Sequence, residues 1–179
     1  MQSKTTSRDR LLNAASTIVA RQGAGNLTID AVAAQSGMSK GGVLYHFPNK
    51  RALLGGMLER LVDQLQGRLT ELKSSAGASE LTALLQAIFG RTEEERAMSQ
   101  ALLANAAEDP SLLAPAAPVI QEIVDNIVGE SADTQLALIL WLAAEGLRFM
   151  DMLDILPQRT LDEYGVGERM AELAEGVRL

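Results

Sequence analysis

No stretch of useful length in this chain alternates apolar with polar residues, as a half-buried strand requires. Apolar residues instead return every three or four positions almost from end to end. The gaps between those segments hold Ser, Thr, Asn, Asp, Gly and Pro. Such a chain can bury its apolar stripes only by packing helix on helix, so an all-α fold is expected. Hydrophobic residues make up 47% of the chain and aromatic residues only 3%, so the core is expected to consist of Leu, Ala, Ile, Val and Met. A length of 179 residues fits one large domain or two small ones.

The punctuation divides the chain into about nine helices. Leu11, Ala15, Ile18 and Val19 share the face of a first helix, which Gly23 and Gly25 stop. Thr28 is an N-cap for a second, TIDAVAAQS, which Gly37 ends. Ser39 caps a short third helix through about Phe47, and Pro48 stops it. Asn49 caps a fourth, from Lys50 to roughly Lys73, with Leu53, Leu54, Met57, Leu58, Leu61 and Leu65 on its buried side. After the small-residue stretch SSAGAS (74–79), a fifth helix covers about 80–90. Thr92 and Glu95 form a capping box that opens a sixth, to about Ala107, and Asp109-Pro110 is a break. Pro115 or Pro118 opens a seventh, ending near Gly129. The eighth spans about 132–156 and stops at Pro157. Thr160 and Glu163 make a second capping box for the last helix, whose first turns carry Gly165 and Gly167.

Charge is unevenly spread over these helices. The net charge is −7, but residues 1–51 carry +5 and residues 52–179 carry −12. Within the head, the segment GMSKGGVLYHFPNKRALL (Gly37–Leu54) holds Lys40, His46, Lys50 and Arg51 and no carboxylate. A basic head on an acidic body points to a polyanionic partner for the head. The chain has no cysteine, which excludes disulfides and thiolate metal sites and suits a reducing cytoplasm. The N-terminal MQSKTTSRDR lacks the apolar core of a signal peptide. The longest wholly apolar run, Leu136–Ala144, is too short to span a bilayer. A cytoplasmic protein without a membrane partner is expected. His46 is the only histidine, and there is no phosphate-binding glycine loop or metal-spaced cluster. No catalytic residue, metal ligand or cofactor is therefore assigned, and the chain is not expected to be an enzyme. A hydrolase using scattered carboxylates is the competing enzyme reading.

Two helices joined by a tight glycine-containing turn, the second opening with Ser and Lys, form a helix-turn-helix pattern. The major groove admits one helix with little room to spare. Gly41 and Gly42 thin the leading end of that helix, at roughly 1 kcal/mol each in helix propensity, offset by burial of Val43, Leu44 and Phe47. Close approach would bring base edges to Lys40, and phosphates to Tyr45 and His46, with Ser39 also in the expected DNA-binding set. Lys50, and Thr28 at the start of helix two, would hold phosphates at helix N-termini. Alternatively, the two glycines relieve crowding in a small bundle, and His46 simply packs.

Residues about 8–54, through LLNAASTIVARQG, LTIDAVAAQSGMSKGGVLYHF and PNKRALL, resemble the N-terminal domain of the TetR family of bacterial transcriptional repressors. The resemblance implies an all-α homodimer with one helix-turn-helix per subunit and a C-terminal domain that binds a small effector and dimerises. The corresponding division is 1–49 for DNA binding and 50–179 for effector binding and dimerisation. Many relatives carry Tyr where this chain has Leu44, while Ser39, Lys40, Tyr45, His46 and Lys50 keep the pattern.

The acidic body adds two features. Leu136–Ala144 is apolar all round, so one side is expected on the domain's own core and the other on a second subunit. Val166, Met170, Leu173 and Val177 form a packing seam on the last helix. Two helices per subunit would then make a four-helix interface. A dimer would set the two reading heads about 34–36 Å apart, or a multiple of it. Arg148 is placed to pair with both Glu145 and Asp151, as a structural ion-pair set at the end of that interface. In the sharper reading, Glu145 attracts a cation held between Trp141 and Phe149. With Met57, Leu61, Leu65 and Met98, these three make up the expected effector-binding set. The function expected is a homodimeric repressor of operator DNA, released when a small apolar effector, cationic in the sharper reading, displaces helix four. The alternative is a helical protein-interaction module that does not bind DNA.

Overall fold

The computed structural model describes residues 6–155 and 163–179. Among them are nine α-helices: α1 (Ser7–Gln22), α2 (Ile29–Ser36), α3 (Lys40–His46), α4 (Lys50–Ala76), α5 (Glu80–Phe89), α6 (Glu93–Ala106), α7 (Ala117–Glu130), α8 (Thr134–Met152) and α9 (Val166–Gly176). Short 3-10 turns cover Ala24–Asn26 and Pro110–Ala116. No strand occurs among the described residues. The all-α expectation holds.

Most helix starts follow from side-chain caps. Thr28 accepts from the Ala31 amide, Ser39 from the Gly42 amide and Asn49 from the Ala52 amide, each at 2.8–3.1 Å. Thr92 and Glu95 complete their reciprocal box. A further box, Thr6 with Asp9, opens α1, and its hydrogen bonds hold the Asp9 carboxyl below the usual carboxylate range. Gly37 ends α2 at φ +68°, in the left-handed region that glycine enters without a Cβ penalty.

Two helix ends differ from expectation. Helix α4 runs through Ala76 rather than stopping near Lys73, with the Ser74 and Ser75 hydroxyls donating back to the Glu71 carbonyl. Helix α8 stops at Met152, ahead of 156. Asp154 takes a positive φ of 54°, and the Ile155 amide returns to the Met150 carbonyl at 3.1 Å. An aspartate thus plays the terminating part usually given to glycine. Pro157 and the Thr160 cap lie outside the described residues. No helix among the described residues is long and apolar enough to cross a membrane.

The chain packs as two compact units that interleave in sequence. The first holds residues through Leu61 together with Thr92–Ala116. Its buried side chains include Leu11, Leu12 and Ile18 of α1, Val32 of α2, Val43 of α3, Leu53 and Met57 of α4, and Met98 and Leu102 of α6. The Ser16 hydroxyl donates to the Leu12 carbonyl and lies 2.9 Å from the Met98 sulfur. The second unit holds Val62–Arg91 and Ala117–Leu179. Its core joins Leu69, Leu81, Leu84, Leu85, Ile123, Ile127, Leu140, Ala144 and Met170. Met170 and Val177 of the expected α9 seam are buried in this core, and Val166 and Leu173 pack against it. Met170 and Val177 are thus committed to the unit's own core, and Val166 and Leu173 in part.

Candidate nucleic-acid interface and ligand cleft

Helices α2 and α3 present the predicted reading surface. Thr28, Ser39, Lys40, Gly41 and Tyr45 are exposed; Gly42, His46 and Lys50 are partly so. Val43 and Phe47 turn inward. Leu44, expected to help bury the helix, stays exposed, because it stands on the outer face one position from Val43. Tyr45 is 84% exposed, and its ring meets the His46 imidazole edge-on at 5.2 Å between centroids. With the exposed Leu44 beside it, Tyr45 gives α3 an outer face that a partner can cover.

The two glycines now separate. A Cβ at Gly42 would meet Ser39 Oγ at 3.3 Å and Met38 Cε at 3.4 Å, so crowding within the turn accounts for it. A Cβ at Gly41 would meet nothing within 4 Å. Packing within the chain therefore does not require glycine at position 41, on the exposed leading edge of α3.

The basic side chains have different commitments. Arg8 pairs with Glu59 and Arg10 donates to the Ser36 carbonyl. Arg51 donates to Asp109 and Ser111, both at 2.7 Å. Those bonds, first from Ser111 and then from Arg51, hold the Asp109 carboxyl below its ordinary value. Lys40 stands 2.9 Å from Asp30, a neighbour on α2 that sequence spacing did not single out. Both groups are exposed, so a phosphate can compete for Lys40 at little cost. Lys50, at the first position of α4, makes no ion pair among the described residues.

The expected effector residues are divided between the two units. Met57, Leu61 and Met98 belong to the unit that holds the helix-turn-helix, whereas Leu65, Trp141, Glu145 and Phe149 belong to the other. Met57 and Met98 are core side chains. Trp141 packs against the core of its unit and Phe149 is exposed. Glu145 is held by Arg148 at 2.5 Å, while Asp151 stands 4.0 Å from Arg91 instead of pairing with Arg148.

A cleft of about 480 Å³ opens elsewhere in the second unit, between the later half of α4, the start of α5, and α7. Leu69, Val119 and Ile123 give it an apolar wall. Its polar end holds Lys73, Glu80, Glu122 and Asn126. Lys73 is 2.6 Å from Glu80 and 3.3 Å from Glu130; the Glu80 amide donates to Glu130, and Asn126 donates to Glu80 at 3.4 Å. Glu80 is only 3% exposed, and its bond to Lys73 holds the ammonium pKa above the usual lysine value. None of the seven expected effector residues lines this cleft. The missed signal is the bracket of Lys73 and Glu80 around the α4–α5 turn, seven residues apart, with Glu130 arriving from far along the chain.

Two family profiles match the chain. "Bacterial regulatory proteins, tetR family" covers residues 11–57, and "Tetracyclin repressor-like, C-terminal domain" covers residues 78–175. The chain belongs to the TetR family. Its helix-turn-helix is thus the family's N-terminal domain; Glu80 and the α7 side of the cleft lie within the span of the family's C-terminal domain, and the α4 side, Gln66 to Ser74, precedes it. Among solved structures, a candidate TetR-family transcriptional regulator from Rhodococcus sp. is 25% identical, over 96% of this chain and 98% of that one, with a TM-score of 0.71. GusR of Salmonella enterica is 19% identical over 97% and 98%, with a TM-score of 0.70. The multidrug binding protein EbrR, complexed with ethidium, is 21% identical over 96% and 98%, with a TM-score of 0.68. The last two likenesses show the TetR fold alone. No curated protein matches the chain.

Proposed function

We propose that the chain is a homodimeric transcriptional repressor that reads operator DNA through α3 and releases it on binding a small effector. The observation that carries this reading is the outer face of α2–α3: an exposed Tyr45, a Gly41 with no packing reason, and Lys40 and Lys50 without a buried partner. Residues 1–49 supply DNA contacts, through Thr28, Ser39, Lys40, Gly41, Gly42, Tyr45 and His46, joined by Lys50 at the start of α4. Residues 50–179 supply effector binding and dimerisation.

The effector site proposed is the α4–α7 cleft. Its carboxylates outnumber its single ammonium, and its wall is apolar. That chemistry favours an apolar cation, with Glu122 and Glu80 nearest the charge. The ethidium bound by EbrR, a protein of the same fold, is a ligand of this class. Helix α4 carries both the cleft residues Leu69 and Lys73 and, at its first position, Lys50. A shift of this helix on ligand binding would move the phosphate contact, with a coupling of about 1–3 kcal/mol. The dimer is proposed through the outward face of α8.

The test is DNA affinity in two variants. Tyr45→Ala and Lys50→Ala should each weaken duplex binding, by about 1–3 kcal/mol, while leaving the thermal midpoint near that of the parent. Unchanged affinity in both, by fluorescence anisotropy on a selected duplex, would remove α3 from the interface.

A further inference from the structure

Phe47 closes α3 and is 2% exposed. Its ring is held on two sides. The Arg8 guanidinium of α1 sits over it at 5.4 Å, itself fixed by Glu59 of α4. On the α4 side the neighbour is Gly56: a Cβ built there would stand 2.7 Å from Phe47 Cε1, 3.3 Å from Cζ, and 3.2 Å from the Arg8 guanidinium. No real Cβ tolerates 2.7 Å, so the ring must move. A ring enclosed in this way has little room to turn alone, and its backbone is the end of α3.

Gly55, the residue before, provides the internal contrast. A Cβ at Gly55 would meet nothing within 4 Å. Both glycines lie inside α4 with ordinary helical φ, so neither is there for backbone freedom. Glycine inside a helix weakens it relative to alanine. At position 56 that weakness has a physical return: the ring, and with it the end of the reading helix, seats directly on the α4 backbone.

We propose that Gly56 is a positioning residue for DNA recognition, fixing the end of α3 on α4 through the Phe47 ring. The inference rests on the regulator reading above. It assigns operator affinity to a side-chain-free position that touches no DNA.

The experiment compares Gly55→Ala and Gly56→Ala in the full chain. The probes are a duplex selected from a random pool with the parent protein and a scrambled duplex of the same length. Gly55→Ala should raise the thermal midpoint by about 2–4 °C and leave affinity unchanged. Gly56→Ala should fail to raise it, and should weaken binding to the selected duplex by about five- to tenfold with the salt dependence unaltered. In a Phe47→Leu background, which lacks the clashing ring atoms, Gly56→Ala should no longer affect affinity. Equal affinities for the two alanine variants would overturn the proposal, as would an equal loss in both Phe47 and Phe47→Leu backgrounds. A parent protein that binds neither duplex would overturn the regulator reading, and this inference with it; the contrast in thermal midpoints would then report only the ring contact.

Discussion

Glu80 is almost wholly buried, and Lys73 is the cation beside it. A buried carboxylate left without its counterion carries a desolvation penalty that a surface pair does not. Lys73→Met should therefore lower stability at pH 7 by about 1–2 kcal/mol, a figure discounted because the lysine itself is a third exposed. The pH dependence has a definite sign. The folded pKa of Lys73 is raised above 10.5, so its contribution is present below that value and is lost as pH rises through the folded pKa. Urea titrations at pH 7 and pH 11 should show the parent–variant difference shrinking at the higher pH. Asp109 runs the other way. Its lowered pKa makes the Arg51–Ser111 clasp contribute above pH 3.8 and fade only in stronger acid.

Helix α8 divides into two faces. Ala137, Leu140 and Ala144 are buried in the core of the second unit. Ile139 and Leu142, each 59% exposed, continue through Phe149 and Met150 as an outward apolar stripe. A stripe of this kind is a natural subunit contact. The proposed dimer predicts that Ile139→Asp with Leu142→Asp converts it to monomer, with the thermal midpoint of the second unit little changed. Sedimentation equilibrium reads the outcome, and a dimer that survives both substitutions would place the contact elsewhere. Element by element, the caps were legible because they are local: Thr28, Ser39, Asn49 and Thr92 need only the amides three residues on. The end of α8 was not, because Asp154 in a left-handed conformation has no sequence signature of its own. The α9 seam was legible as apolar spacing, but spacing cannot say whether the covering helix belongs to the same chain.

At the scale of the whole molecule, the helix-turn-helix was legible and the α4–α7 cleft was not. The head is a continuous segment whose glycines, cations and caps stand within about twenty residues of one another. The cleft is assembled from Lys73, Glu80, Glu122, Asn126 and their neighbours on three helices, and the sequence carries no periodic trace of that meeting. Nor does it show that Met57 and Met98 belong to the first unit's core, since a buried methionine and a pocket methionine occupy the same helical positions. The separation of charge, +5 in residues 1–51 and −12 in the rest, is the molecular feature that the account rests on. Binding of the parent protein to a selected duplex, measured from 50 to 200 mM salt, tests it most directly. With Lys40 and Lys50 from each of two subunits on phosphates, the logarithmic slope should be about −3.6 or steeper, and affinity should fall by about a hundredfold or more over that range. An affinity that stays flat across the series, or no duplex binding at 50 mM, would contradict the account.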